Sequence, residues 1–145
     1  MSKVTPIYEV ESEMDEIVKA LVEKYPDVFS AVRTDDVRGY VITNKPRPDT
    51  KEPEVSISGA SGVFAYINPF KYVIVAYASD WVSWTRNQKI INVAKAIKRI
   101  SEDGNGKLVR FDEMNHRCFL LTFGIGYEEK PDLVNILEED VKWVF

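Results

Sequence analysis

Residues 72–78 read Tyr-Val-Ile-Val-Ala-Tyr-Ala, an unbroken apolar run. It is far short of the roughly 20 residues a membrane helix needs. It suits a strand covered on both faces, and such a strand requires a sheet with other elements packed against it. A chain of 145 residues has room for one domain of this kind, residues 1–145. Its 45% apolar and 29% charged residues are ordinary globular composition. A domain this long buries about two-thirds of its unfolded surface, so neither a disulfide nor a structural metal is needed. The single cysteine, Cys118, excludes an intramolecular disulfide and points to a reducing compartment. The acidic start has no apolar core, so a cytoplasmic location is expected.

Around that strand the pattern predicts an α+β domain with a small, mostly antiparallel or mixed sheet and about three helices. Met14, Ile17, Val18 and Leu21 share one face of a helix over Ser12–Lys24, with Ser12 and Asp15 as a capping box and Pro26 as the stop. Val37–Thr43 reads as a strand in which Gly39 marks a possible bulge. Asn44–Glu54 carries Pro46, Pro48 and Pro53 and predicts an exposed, semi-extended loop. Val55–Ser58, Gly62–Ile67 and Lys71–Ala78 follow as strands. Thr85 and Gln88 cap a helix whose apolar face is Ile90, Val93, Ala94, Ile97 and Ile100, and the turn Asp103-Gly-Asn-Gly106 ends it. Asp112 opens a third helix that runs to Phe123 before Gly124. A helical turn is expected at Leu133–Leu137. Residues 126–145 form an acidic extension whose apolar end, Val141, Trp143, Val144 and Phe145, is expected to pack on the body.

Charge is distributed in blocks. Residues 1–31 hold three Lys against seven acids, and 126–145 hold two Lys against six acids. Between them, residues 86–110 hold seven cations, Arg86, Lys89, Lys95, Lys98, Arg99, Lys107 and Arg110, against Glu102 and Asp103. Either the acidic ends fold back to complement the middle, or the middle meets an anionic partner. Catalytic motifs are missing: there is no phosphate-binding Gly loop, no nucleophile elbow and no Cys-x-x-Cys pair. The lone His116 and Cys118 stand two residues apart, a spacing that does not face on a helix. No cofactor is expected.

The order of elements carries a resemblance. Glu23-Lys24-Tyr25-Pro26, the apolar strand Tyr72–Ala78, Trp81, and Thr85-Arg-Asn-Gln88-Lys89 come first. Gly104-Asn-Gly106, Phe111-Asp112, Phe123-Gly124 and Pro131–Leu137 follow. Over about Ile17–Leu137 this succession resembles a zincin-like metallopeptidase family common in phage and archaeal genomes. The resemblance implies a zincin-like fold. It also places the metal-binding HExxH positions on Lys95, Ala96 and Arg99 and the third-ligand position on Phe111. In an active member two His hold zinc and a Glu activates water. Here cations stand where His would, and only Asp112 remains, as a helix cap. The chain is therefore expected to be a pseudoenzyme and not a catalyst.

What remains is binding. The first expectation is an interaction protein, of viral origin as the resemblance implies, that binds or inhibits a host or partner protein. Lys45, Arg47 and Lys51 on the Pro-rich loop and Trp84, Arg86, Lys89 and Lys98 on the following segment are its candidate contacts, since Trp and Arg dominate binding hot spots. Trp81 is expected in the core. The alternative is a nucleic-acid-binding protein using the basic 86–100 helix, against an overall charge of −4.

Overall fold

The computed structural model describes residues 5–59, 70–100 and 135–143. Along them run β1 (Tyr8–Val10), α1 (Ser12–Lys24), a 3-10 turn (Thr34–Asp36), β2 (Val37–Ile42), β3 (Ser56–Gly59) and β4 (Tyr72–Tyr77). Two helices follow, α2 (Ala78–Ser83) and α3 (Arg86–Ile97). The strands form one mixed sheet in the order β1-β2-β4-β3, with β2 and β4 parallel and the outer pairs antiparallel. Over the described residues the architecture is α+β, a four-stranded mixed sheet packed with three helices. The strand expected at Gly62–Ile67, the helix at 112–123 and the positions Phe111 and Asp112 lie outside the described residues. The short α2 is a helix the sequence reading did not expect; its start takes Ala78 from the end of the predicted strand.

The apolar stripe of α1 is as expected: Met14, Ile17, Val18 and Leu21 are all fully buried. Burial of each such side chain contributes roughly 1.5–3 kcal/mol. Its start differs from the expected capping box. Glu11 is the N-cap, and its carboxylate accepts the Glu13 amide. Asp15 faces the sheet instead: its Oδ1 accepts the Gly39 amide at 2.8 Å, and its other oxygen lies 3.5 Å from the Arg38 guanidinium. Burial pushes the Asp15 carboxyl above its usual range, and the Gly39 amide and Arg38 only partly offset this.

Gly39 is not a bulge. Every residue from Val37 to Ile42 has a partner in register on β4, from Tyr72 to Tyr77. What the glycine provides is room. A Cβ at Gly39 would stand 2.4 Å from the Met14 Cβ and 2.9 Å from its sulfur. The missing side chain lets the first turn of α1 lie directly on β2.

The sheet has two unlike faces. Val37, Gly39 and Val41 of β2, Tyr72, Ile74 and Ala76 of β4, and Ile57 of β3 point into the core shared with α1 and α3. The alternate residues of β4 are only half-buried, so the strand expected to be covered on both faces is fully covered on one. On α3 the Thr85–Gln88 capping box is formed as expected, with Ile90, Val93, Ala94 and Ile97 buried. Ile91 and Ala96 are buried as well, so the apolar face is wider than the expected stripe.

Residues 135–143 close over the end of α1. The Lys24 ammonium donates to the Leu137 and Glu139 carbonyls at 3.0 and 2.7 Å, and the Tyr25 hydroxyl donates to the Ile136 carbonyl. Ile136 is fully buried, and Trp143 meets Tyr25 and Phe29 edge-on at 5.7 and 6.1 Å. These aromatic pairs add about 0.5–1.5 kcal/mol each beyond area burial.

Because the Gly39 clash is with a backbone-fixed carbon, Gly39→Ala is expected to lower the stability measured by urea unfolding by about 1–3 kcal/mol. Adding Met14→Ala keeps the offending Cβ and is expected not to restore it. A neutral Gly39→Ala would contradict the close approach.

Candidate functional site

The cations of the 86–100 segment are drawn into the fold. Glu13, in the first turn of α1, receives Arg86 at 2.8 Å on one carboxylate oxygen and Lys89 at 2.9 Å on the other. Lys89 also lies 5.0 Å from the centre of the Trp81 ring. Lys98 reaches back to donate to the Val28 carbonyl at 2.8 Å. Burial opposes ionisation of Glu13, but the Lys89 hydrogen bond and the charges of Lys89 and Arg86 outweigh it and hold its carboxyl below the usual range. Arg86, Lys89 and Lys98, three expected contact residues, thus tie α3 to α1 and to the loop after it. Trp81 is buried as expected. Trp84 is half-buried and packs edge-on against it at 6.0 Å.

Of the positions that the metallopeptidase resemblance assigns to the metal site, the described ones, Lys95, Ala96 and Arg99, lie on α3 and just past its end. Lys95 and Arg99, one turn apart, share with Asn92, Ala96, Glu54 and Ser56 the wall of a cavity of about 120 Å³. Lys95 and Arg99 are half-buried and Ala96 is buried. Among the described residues no group of three or more His, Cys, Asp or Glu side chains comes together that could hold a metal ion.

The three loop cations come together elsewhere. The 44–54 loop leaves β2 and arches over the sheet face turned away from α1 and α3, enclosing a cavity of about 280 Å³. Lys45, Arg47 and Lys51 line it together with Glu52 and Glu54, over a floor that includes Ile42, Val75 and Tyr77. Tyr8, Ser56 and Ser58 complete the wall. The loop is less free than its prolines suggest, because the Arg47 guanidinium bonds Asp80 of α2 at 3.0 Å and also donates to the Lys51 carbonyl. With both side chains mostly buried, that pair fixes the loop over the sheet. Lys45 is half-buried and Lys51 exposed, and both line the cavity.

Of the expected contacts, then, the structure gathers Lys45, Arg47 and Lys51 at one cavity and commits Arg86, Lys89 and Lys98 to the fold. Tyr8, Tyr77, Ser56 and Ser58 were missed by sequence reasoning. The signal was present in the period-two alternation: Ser56 and Ser58 flank the buried Ile57, and Tyr77 alternates with the buried Ala76. What the alternation could not supply was the pairing order that brings β1 and β3 to opposite walls of one cavity.

Neither the family models, the curated proteins nor the solved structures contain a match to this chain. No helix among the described residues is long and apolar enough to cross a membrane.

The Glu13 ion pairs carry a pH signature. A carboxyl lowered in the folded state contributes stability above its unfolded value, near 4.5, and loses it as pH falls through the folded value. Glu13→Gln is expected to cost no more than about 1 kcal/mol at pH 7, and that cost should fade as pH drops below the unfolded value and through the lowered folded one. A cost that stays constant from pH 7 to pH 3 would contradict the assignment.

Proposed function

We propose that the chain is a catalytically inactive, zincin-like protein that acts by binding and blocking a macromolecular partner, a protein rather than a nucleic acid. The observation that carries this reading is the contrast between its two sets of cations. Of the basic helix, Arg86, Lys89 and Lys98 are spent on Glu13 and on the Val28 carbonyl, and Lys95 and Arg99 line the small cavity beside β3. Those of the 44–54 loop surround a cavity on the open face of the sheet, beside aromatic and hydroxyl side chains. Phosphate binding needs a surface with a surplus of positive charge, whereas this cavity mixes three cations with Glu52 and Glu54. Tyr8, Tyr77 and Arg47 are of the residue types enriched in protein contacts, and the Lys and Glu side chains around the apolar floor suit the polar rim of one.

The inactive half of the proposal rests on the resemblance. Lys95, Ala96 and Arg99 occupy the positions of two His ligands and the base, and cations there oppose a dication. Lys95, Ala96 and Arg99 line a small cavity beside β3.

The test is a tagged capture from lysate of the natural host at moderate salt, with and without nuclease, using the wild type and a Lys45→Glu/Lys51→Glu variant. The expected result is a protein retained after nuclease, with retention by the variant lowered about tenfold, as for a contact worth about 1.4 kcal/mol. Retention that disappears with nuclease would contradict the reading and return attention to α3.

A further inference from the structure

β1 is an edge strand with one side of its backbone unused. The Thr43 amide donates to the Ile7 carbonyl at 3.0 Å and the Glu11 amide to the Gly39 carbonyl at 2.9 Å, so the odd-numbered residues face β2. By the alternation of an antiparallel pair, Tyr8 and Val10 turn their N–H and C=O groups outward. Among the described residues nothing bonds to those groups. The side chains are open as well: Ile7 is 56% exposed, Tyr8 53% and Val10 49%. The only other large apolar side chain so exposed among the described residues is Val82. The strand's three-residue length, Glu9 and Pro6 are devices that blunt an edge against copies of the same chain, and strand addition by a different segment can still use it.

We propose that β1 is the docking strand for an extended segment of a protein partner. The segment adds antiparallel to β1, sets apolar side chains beside Tyr8 and Val10, and carries a basic residue opposite Glu9. This rests on the protein-binding reading above and names the chemistry of the partner.

Charge and proline position select that occupant over a second copy of this chain. Two-fold pairing centred on Glu9 would place two Glu9 carboxylates directly opposite each other, which destabilises a pair of strands. Moving the centre to Tyr8 would bring Pro6, which has no N–H to give, opposite Val10 of the second copy. A foreign strand with Lys or Arg opposite Glu9 meets neither obstacle. Glu9 is exposed and makes no ion pair among the described residues, so its charge is available. Strand direction follows from Lys45, which lines the cavity beside Pro6 and Tyr8. A segment that passes Glu9 with a cation and then Lys45 with an acid runs antiparallel to β1.

The probe is the blocked peptide acetyl-Thr-Val-Arg-Val-Thr-Asp-amide, with a control in which Glu replaces Arg, titrated to about 1 mM into isotope-labelled protein and followed by amide resonances. The expected result is saturable movement of the Tyr8 and Val10 resonances with the Arg peptide, and binding about tenfold weaker with the Glu peptide. Val10→Pro removes an outward N–H but none that β2 uses, and is expected to abolish the response while the α1 and α3 resonances stay in place. Where proline disturbs β1 itself, Glu9→Lys serves instead and is expected to reverse the preference between the peptides.

Four results would overturn the proposal. They are no movement at Tyr8 and Val10 with either peptide, equal response to both, a response that Val10→Pro leaves intact, or self-association of the protein alone. If the peptide fails while a nuclease-resistant protein is still captured through Lys45 and Lys51, strand addition falls and the protein-binding reading stands. If the peptide binds while no protein is captured, the failure lies with that reading.

Discussion

The contact between the first turn of α1 and β2 is the constraint on which the other packing depends. With Met14 against the bare backbone of Gly39 and the Gly39 amide on Asp15, α1 lies on the sheet at a distance no side chain at position 39 would permit. That seating puts Glu13 where it meets Arg86 and Lys89. It also puts the far end of the helix, Lys24 and Tyr25, where residues 135–143 dock. A helix held farther off the sheet would reach neither. One absent methyl group therefore aligns the helix layer and the closing segment together.

The same geometry decides what surface is left for function. Once α1 supplies the carboxylate that satisfies the N-terminal half of α3, the basic helix presents much less charge to solvent than its sequence suggests. In the proposed reading, binding falls to the opposite face of the sheet, where the 44–54 loop is pinned by Arg47 on Asp80, and to the open edge of β1. Both features belong to exposed segments outside the core, the ordinary place for recognition on a rigid scaffold. Pinning the loop also reduces the ordering that binding would otherwise require.

Much of the fold was legible in the chain because it rests on periodicity. The α1 stripe, the capping box at Thr85 and the apolar strand at 72–77 all follow from residue spacing, and each is present. The failures share a cause. Gly39 looked like an irregularity in its own strand, yet its reason lies across the layer, at Met14. Asp15 looked like part of a local cap, yet it reaches 24 residues along the chain to Gly39. Arg86, Lys89 and Lys98 stood as candidate contacts beside the alternative that an acidic end folds back on them, and sequence could not decide because their partners, Glu13 and Val28, are distant along the chain. Local pattern reports which face is apolar, and only the tertiary arrangement reports which charges are spent. That the loop carrying Lys45, Arg47 and Lys51 lies outside the core was legible because prolines mark an exposed segment. Tyr8 and the β1 edge were not, because a three-residue strand has too little pattern to declare itself.

The claim that α1 and β2 act as one unit through Gly39 is tested most directly by native-state hydrogen exchange. If the account is right, the Gly39 amide, bonded to a helix side chain and not to a neighbouring strand, opens with the same free energy as the Leu21 and Val18 amides in the middle of α1, and all three respond equally to denaturant. A Gly39 amide that exchanges freely while the amides of α1 stay protected would show that helix and strand open separately, and the central role given to their contact would be wrong.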